Sequence, residues 1–266
     1  MHHAPRKRFG QNFLHDRGII DKIIQAINPA ADDHLVEIGP GQGAITGQLL
    51  ALAGRLDAIE LDRDLVALLQ RSFAGKQNFT LHSADALTFD FCGLQTDRLL
   101  RLVGNLPYNI STPIMFHLLE QPACIRDMYF MLQKEVVDRM AAAPGSKTYG
   151  RLSVMLQLKC RVNPLFNIGP AAFNPPPKVE SAFVQLQPWK PSPYEIHDPV
   201  LLGQLVTQAF SQRRKTLRNT LKKLVEPVVF GQLGIDPGSR AEQLAPADFV
   251  RLANACCTSR QGPGLL

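Results

Sequence analysis

A strand–turn–helix unit near the N-terminus limits the possible folds of this chain more than any other feature. Residues 35–38, which are apolar except for Glu37, are typical of a buried strand, and glycines follow at positions 39, 41 and 43. The apolar periodicity from Ala44 to Leu52 then predicts a helix. Glycines between a strand and a helix let the backbone approach a ligand at the helix N-terminus. The pattern therefore predicts an α/β fold with a ligand at the end of this strand.

The ligand at this turn belongs to one of two cofactor classes. Gly39, Gly41 and Ala44 fit the dinucleotide fingerprint. The next strand, residues 56–59, ends in Glu60, which can bridge two ribose hydroxyls in either class. However, Glu37 followed by alternating glycines matches the Glu-x-Gly-x-Gly-x-Gly pattern of S-adenosylmethionine sites, which have no pyrophosphate to hold. The pattern favours S-adenosylmethionine over a nicotinamide cofactor.

Asp85 follows a third strand-like run, residues 79–82. A carboxylate at this position can accept a hydrogen bond from the adenine amine of a nucleoside cofactor. The alternative is a local role as the cap of a loop or helix.

The segment Asn105-Leu106-Pro107-Tyr108 has the chemistry needed to hold an exocyclic amine on a flat ring. The N6 lone pair of adenine is conjugated into the ring, and two acceptors, one on each hydrogen, would aim it at an electrophile. The Asn105 side chain offers one carbonyl and the Leu106 main chain the other, in a loop that Pro107 stiffens. Tyr108 offers a stacking face for an unstacked base. The alternative is a strand-ending turn with a buried tyrosine.

Strands and helices alternate through the first 190 residues, which predicts a doubly wound α/β domain. The predicted elements after residue 98 are strands at 99–104, 128–132, 162–168 and 181–186 and helices at 112–119 and 134–142. A proline-rich break at residues 188–193 is typical of a linker, and only helical patterns follow it. We therefore predict two domains, 1–190 and 191–266. Phe183, on the last strand, is either a core residue or a second stacking face, and its position favours the core.

The second domain contains a run of basic residues. Arg214, Arg218 and Lys222 recur at helical spacing on one face, and leucines at 217, 221 and 224 line another. This predicts an amphipathic helix with a cationic face, for which phosphate contact is a better interpretation than a solvated face or a membrane surface. The chain has 29 basic and 23 acidic residues, a net charge of +6, which also favours a polyanionic partner. The polar loop from Lys147 to Arg151 fits a surface loop.

The remaining composition indicates a cytosolic protein. The five cysteines are odd in number and show no metal-ligand spacing, which favours a reducing compartment. No apolar run has the length of a membrane span, and the N-terminus lacks the apolar core of a signal peptide. The opening run, residues 6–14, mixes cations, aromatics and amides, and we expect it to pack over a ligand.

Taken together, the chain resembles the ribosomal RNA adenine N6,N6-dimethyltransferase family, and most closely its small-subunit members. The resemblance covers nearly the whole chain and rests on residues 7–14, Glu37 to Gly43, Glu60, Asp85, Asn105 to Tyr108, Tyr149 to Arg151, Pro175 to Phe183 and Arg213 to Asn219. It implies a Rossmann-like methyltransferase domain with a mixed seven-stranded sheet and a small all-α C-terminal domain. It also implies transfer of four methyl groups from S-adenosylmethionine to two adjacent adenosines in the 3′-terminal hairpin of small-subunit (16S) rRNA.

The resemblance and the motifs together define the expected site residues. The expected cofactor-binding residues are Gln11, Asn12, Leu14, Glu37, Gly39, Gly41, Gly43, Glu60, Asp85 and Asn105. The expected catalytic residues are Asn105, Leu106, Pro107, Tyr108 and Phe183, the last of which changes from core to site on the resemblance alone. The expected RNA-binding residues are Lys147, Arg151, Arg213, Arg214, Lys215, Arg218, Lys222 and Lys223. We expect a monomer that needs no metal.

Three alternatives remain open. The same chemistry on large-subunit rRNA is the nearest, although the Arg213–Asn219 run and the Pro175–Phe183 loop favour the small-subunit type. A binding factor of the same fold, acting in ribosome assembly or on other nucleic acid, is the second. The third is a nicotinamide-dependent oxidoreductase.

Overall fold

The computed structural model describes residues 12–108 and 110–260, with only the backbone of 258–260. These residues form two compact units. The first contains the chain up to Val137 together with Val162–Pro188, and the second contains Asp138–Arg161 together with the chain from Trp189 onward.

The strands and helices of the described residues alternate through the first unit. The strands are β1 (Phe13–Leu14), β2 (His34–Ile38), β3 (Arg55–Glu60), β4 (Phe79–Ser83), β5 (Leu100–Asn105), β6 (Ile125–Gln133), β7 (Cys160–Ile168), β8 (Phe173–Asn174) and β9 (Ser181–Pro188). The α-helices are α1 (Arg17–Ile27), α2 (Thr46–Leu52), α3 (Arg63–Ser72), α4 (Ser111–Leu118), α5 (Lys134–Met140), α6 (Arg151–Gln157), α7 (Pro199–Ala209), α8 (Leu217–Thr220), α9 (Pro227–Leu233) and α10 (Pro246–Arg260).

Seven strands form one mixed sheet in the order β4-β3-β2-β5-β6-β9-β7. The pairs β2–β3, β2–β5, β3–β4 and β5–β6 are parallel, and β9 runs antiparallel to β6. The predicted mixed seven-stranded sheet is confirmed. The strand order reverses between β2 and β5, so the loops after these two strands diverge and leave a crevice at the carboxyl edge of the sheet.

Helix α1 packs one apolar face into the core of the first unit. Ile20, Ile23, Ile24 and Ile27, spaced by three or four residues, are buried in the same cluster as residues of β2, β5 and β6. Asp16 begins the helix by accepting the Ile19 N–H at 3.0 Å. Ahead of α1, the short strand β1 pairs with β8, with Leu14 opposite Phe173.

The core of the second unit consists of helices, as the sequence predicts for residues beyond 191. Val154 and Leu158 pack there with Leu201 and Leu205. Residues 138–161 therefore group with the C-terminal helices, whereas the predicted division at residue 190 assigns them to the first domain. The apolar face of α6 is the physical reason for this difference.

The predicted amphipathic helix over residues 213–224 is wrong, because only α8, of four residues, forms there. The N–H groups of Leu217 and Arg218 donate to the carbonyls of Ser239 and Pro237, at 2.8 and 3.0 Å, so the helix begins at Leu217. The predicted apolar side is retained in part, since Leu217 and Leu221 are fully buried. Tertiary hydrogen bonds, which local periodicity does not reveal, set the length of this helix.

Two further observations concern the cysteines and membranes. Cys92 and Cys124 form a disulfide, which does not fit the reducing compartment expected from the number and spacing of the cysteines. Among residues 12–108 and 110–260, no helix has the length and apolar composition needed to cross a lipid bilayer.

Candidate active site

A cavity of about 280 Å³ opens at the carboxyl edge of the sheet in the first unit. Its wall is formed by the glycine loop after β2, the residues after β3, β4 and β5, and the N-terminal segment around β1. Predicted site residues on this wall are Asn12, Leu14, Glu37, Gly39, Gly41, Glu60, Asp85, Asn105, Leu106, Pro107 and Tyr108. Residues more than ninety positions apart in the sequence thus share one cavity.

The glycine loop requires glycine for conformational and steric reasons. Gly39 and Gly41 have φ values of +65° and +60°, which L side chains rarely adopt. A Cβ atom on Gly41 would lie 3.2 Å from the Phe13 ring, so the loop and β1 approach each other closely. The Gly41 N–H also donates to Glu60 Oε2 at 3.3 Å. The loop is therefore fixed to the ends of both β1 and β3.

Glu60 ends β3 and serves as an acceptor inside the cavity wall. Its Oε1 accepts the Asp62 N–H at 2.9 Å, while Oε2 accepts from the glycine loop. Burial raises the pKa of Glu60, although its main-chain hydrogen bonds act in the opposite direction.

Glu37 is a buried carboxyl group on the cavity wall. Its side chain is 2% exposed, and its Oε2 accepts a 2.7 Å hydrogen bond from the hydroxyl of Thr46, in the first turn of α2. Burial raises the pKa of Glu37 to about 7, and the neighbouring Glu60 charge acts in the same direction. A cationic ligand would favour the ionised form of this carboxyl.

The Asn105 side chain is oriented by the main chain of the N-terminal segment. Its Nδ2 donates to the carbonyl of Asn12 at 2.9 Å. Because the amide nitrogen is engaged in this way, Oδ1 is the atom that can accept a hydrogen bond from a ligand. The next peptide is also held, since the Leu106 N–H donates to the Met131 carbonyl at 3.2 Å.

Tyr108 presents its half-buried ring on the cavity wall. The hydroxyl lies 2.9 Å from the Ser181 hydroxyl, and burial raises the pKa of the phenol. Its main-chain carbonyl accepts from the Ser111 hydroxyl at 3.1 Å.

Asp85 lies on the wall at the end of β4 and is exposed. Its Oδ1 accepts the Leu87 N–H at 2.9 Å. Asp85 therefore makes a local capping contact and also lies on the cavity wall.

Among the described residues, two of the expected cofactor-binding and catalytic residues, Gly43 and Phe183, do not line the cavity. Gln11 lies outside the described residues. Gly43, with φ of +84°, faces the Phe73 ring. Phe183 is 2% exposed, with its ring centroid 6.1 Å from Tyr129 and 5.3 Å from Phe166. The structure thus places Phe183 in the core, the position that its strand pattern favours.

The expected RNA-binding residues are all exposed and lie in the second unit. Arg151, Lys215, Lys222 and Lys223 line an open groove of about 950 Å³, together with polar residues of α7. We refer to this as the cationic groove. Arg213 does not line it, because its guanidinium donates to the Lys147 carbonyl and lies 3.5 Å from Glu242.

Several wall or supporting residues were not predicted from the sequence. Thr46 donates to Glu37, Asp62 lines the wall next to Glu60, and Ser181 contacts Tyr108. Asp62 carries one usable signal, since it stands two residues after a strand-ending acid. The Ser181 contact joins residues 73 positions apart, and no local pattern indicates it.

Comparison with known proteins identifies the family. The family model described as ribosomal RNA adenine dimethylase matches residues 2–257. This chain belongs to that family. The resemblance stated from the sequence is thereby confirmed.

Curated relatives agree with this assignment over nearly the whole chain. A Pseudomonas putida protein named ribosomal RNA small subunit methyltransferase A is 58% identical over 260 residues, covering 97% of each chain. A Marinobacter nauticus protein of the same name is 55% identical, covering 95% of this chain and 91% of the relative. The prediction that the small-subunit members are the more similar ones is confirmed.

Solved structures share the fold. A dimethyladenosine transferase from Plasmodium falciparum aligns with a TM-score of 0.81 at 27% identity, covering 93% of this chain and 98% of the other. The 23S rRNA methyltransferase ErmE aligns with a TM-score of 0.73 at 23% identity, covering 92% and 100%, and shows the fold alone. The predicted Rossmann-like methyltransferase fold is confirmed.

Proposed function

We propose that this chain transfers methyl groups from S-adenosylmethionine to N6 of two adjacent adenosines in the 3′-terminal hairpin of small-subunit (16S) rRNA. The product is a pair of N6,N6-dimethyladenosines, made during ribosome biogenesis. Family membership and relatives of 55–58% identity named ribosomal RNA small subunit methyltransferase A support the reaction and the substrate. The main structural support for the mechanism is the orientation of the Asn105 amide, whose Nδ2 donates a hydrogen bond to the Asn12 carbonyl.

The cavity residues fit S-adenosylmethionine. When bound, this cofactor supplies a sulfonium methyl group that a weak nucleophile can accept without a strong acid or base. Glu60 has the position for the ribose hydroxyls, and Asp85 the position for the adenine amine. Buried Glu37 suits the cationic methionine portion, and the close approach at Gly41 keeps the glycine loop free of side chains. Asn12 and Leu14 close the cavity from the N-terminal side.

Asn105 and Leu106 would orient the target amine. Oδ1 of Asn105 accepts one N6 hydrogen and the Leu106 carbonyl the other, which aims the N6 lone pair at the methyl donor. Pro107 removes one N–H and fixes the loop that carries both acceptors. Asn105→Ala should therefore slow both methyl transfers and largely preserve cofactor binding.

Tyr108 would supply the stacking face for the flipped base. Base–aromatic stacking contributes about 1 to 3 kcal/mol per base. Phe183 remains a candidate for the second face only if its ring leaves its contacts with Tyr129 and Phe166.

The cationic groove would hold RNA phosphates. Its four cations carry no sequence information, but they position the duplex and make binding salt-dependent. Arg214 and Arg218 are exposed and can add phosphate contacts. Arg213 and Lys147 are also proposed to contact RNA phosphates. The Arg213 guanidinium donates to the Lys147 main-chain carbonyl.

The proposed setting is the cytoplasm, with a monomeric enzyme and the small subunit or its precursor as partner. No metal is required, because the methyl donor already carries the positive charge that a Lewis acid would supply. A chelator should therefore leave the rate unchanged.

One side-by-side assay tests the proposal. Purified protein is incubated with labelled S-adenosylmethionine and undermethylated small subunits, large subunits, naked rRNA or duplex DNA, and each product is digested to nucleosides. We expect dimethyladenosine from small-subunit material alone. Label in the large subunit would instead indicate the large-subunit reaction, and tight RNA binding without label would indicate a binding factor.

A further inference from the structure

The hydroxyl of Tyr108 restrains its side chain, whereas the other hydrogen bonds of this loop restrain the main chain. The loop backbone is fixed by the Leu106 N–H, which donates to Met131, and by the Ser111 hydroxyl, which donates to the Tyr108 carbonyl. Neither bond acts on the side chain, so neither fixes the direction in which the ring points. The contact at the far end of the ring is the 2.9 Å hydrogen bond to Ser181.

Ser181 is a rigid partner for that ring. It is fully buried at the first residue of β9, where its Cα pairs with Gln133 of β6. The preceding carbonyl, of Glu180, accepts the Lys134 N–H at 2.9 Å. The pairing with β6 and this hydrogen bond hold the main chain around the serine, and its hydroxyl joins a loop side chain to the central sheet.

We infer that Ser181 is a positioning residue for methyl transfer, which fixes the direction of the Tyr108 ring on which the target base stacks. The inference rests on the function proposed above and assigns a role to a residue outside the cavity wall. Ser181 cannot itself touch the substrate, because it is fully buried. It acts through Tyr108.

The second methyl transfer should depend on this contact more than the first. An unmethylated N6 has two hydrogens, so both Asn105 and Leu106 orient the base. After one transfer a single hydrogen remains, and one of these hydrogen bonds is lost. Stacking on a ring of fixed orientation then determines a larger share of the geometry, and small misplacements slow the reaction.

The test compares Ser181→Ala, Tyr108→Phe and the double variant on undermethylated small subunits, following monomethyladenosine and dimethyladenosine over time. We expect the second transfer in each single variant to slow roughly fivefold, the effect of one hydrogen bond, while the first changes little. Monomethyladenosine should therefore accumulate. The double variant should match Tyr108→Phe, because both changes remove the same hydrogen bond. Tyr108→Phe acts on a half-buried loop residue, so the test does not depend on tolerance of a change in the sheet.

Ser153→Ala is the matched control. Ser153 is also fully buried, but it lies in the second unit, where its hydroxyl donates to the Arg139 carbonyl. This variant should lose thermal stability without changing the ratio of monomethyl to dimethyl product. Ser181→Thr, which keeps a hydroxyl, should restore the ratio.

Several results would overturn the inference. Equal slowing of both transfers in Ser181→Ala, or additive effects with Tyr108→Phe, would show that Ser181 acts through stability alone. Wild-type protein that makes no dimethyladenosine would overturn the proposed function as well, whereas active wild type with unchanged ratios in the variants would overturn only the role of Ser181.

Discussion

Asn105 illustrates how the main chain can determine the chemistry of a side chain. An asparagine amide can point its oxygen or its nitrogen toward a ligand, and the two choices have opposite hydrogen-bonding properties. The Asn12 carbonyl, 2.9 Å from Nδ2, selects the orientation in which Oδ1 is available to accept. The residue that orients Asn105 thus acts through its backbone.

Asn105→Asp is the sharpest test of this orientation. The carboxylate has the shape of the amide, but an oxygen would replace the donor that faces Asn12, and two acceptors repel. We expect kcat to fall by about a hundredfold, the scale of losing one oriented hydrogen-bonding group in a reacting site. Affinity for S-adenosylmethionine, measured by calorimetry, should change much less. Parallel losses of kcat and cofactor affinity would contradict the assignment.

Glu37 makes the stability of the folded chain depend on pH. The pKa of Glu37 in the folded state, about 7, lies above the ordinary value of 4.5. The folded protein therefore retains a proton that the unfolded chain releases, and stability decreases as pH rises from about 4.5 through 7.

Glu37→Gln should remove this pH dependence. At pH 8 the variant should be more stable than wild type, by up to about 3 kcal/mol, and below pH 4.5 the difference should vanish. Affinity for S-adenosylmethionine should fall, since the carboxylate facing the cationic ligand is gone. Denaturant unfolding at both pH values gives the comparison. A stability difference that is equal at pH 4 and pH 8 would show that ionisation of Glu37 is not its cause.

Individual residues also show which contacts the sequence does not predict. The motif residues Gly39, Glu60 and Asn105 were predicted because their residue types and local spacing indicate their chemistry. The Asn105–Asn12 contact, across 93 residues, was not predicted, because a main-chain carbonyl leaves no mark on residue type. For Phe183 the strand pattern and the family resemblance gave different predictions, and the ring lies in the core.

At the scale of elements, one buried carboxylate joins three neighbouring strands. Asp57 of β3 is fully buried and accepts from His34 of β2 at 2.6 Å and from His82 of β4 at 2.7 Å. Arg55 donates to it at 2.8 Å. Burial alone would raise the pKa of Asp57, but the hydrogen bonds from His34, His82 and Arg55 outweigh it and lower the pKa to about 2.

Asp57→Asn should destabilise the first unit. A folded-state pKa below the ordinary 3.8 means that the carboxylate stabilises the protein above that pH and that this contribution is lost as pH falls toward 2. We expect the free energy of unfolding to fall by about 3 kcal/mol at pH 7, which is the scale of breaking a buried ion pair. The difference from wild type should become smaller below pH 4. The exposed Glu120→Gln is the control and should have little effect in the same denaturant titrations. A loss independent of pH would show that the charge of Asp57 is not its cause.

The central strands of the sheet were easier to predict than the elements around the basic run, for physical reasons. Parallel strands buried on both faces are mostly apolar, so β2, β3 and β5 were predicted within one or two residues although each contains a charged residue. The start of β6 was missed because Asp127 is charged, and it is there to neutralise buried Arg101 at 2.9 Å. The helix predicted over residues 213–224 failed because contacts to residues 237 and 239 determine where α8 begins.

At the scale of the whole molecule, positive charge is concentrated where the proposed function requires it. The net charge is +6, and four cations line the cationic groove of the second unit. The first unit is expected to bind the cofactor and the base, and the second the phosphates. The predicted division between the units could not be complete, because residues 138–161 join the second unit through tertiary packing of α6.

Lys222→Glu with Lys223→Glu should weaken RNA binding without affecting the cofactor. Two phosphate contacts removed should lower the slope of log affinity against log salt by about 1.5 to 2. The control is Arg71→Glu with Lys76→Glu, a double charge reversal of exposed residues in the first unit that changes the net charge equally. Binding of small-subunit rRNA should decrease much more in the groove variant. Equal losses in both would mean that net charge, and not the groove, holds the RNA.

The location of the added methyl groups tests the proposed reaction most directly. Undermethylated small subunits are incubated with wild-type protein and S-adenosylmethionine, and the rRNA fragment containing the 3′-terminal hairpin is sequenced by mass spectrometry. We expect four added methyl groups, two on N6 of each of two adjacent adenosines, and almost none with Asn105→Asp in the time that wild type needs to complete the reaction. Methyl groups on any other nucleoside, or a full set with Asn105→Asp, would contradict the proposal.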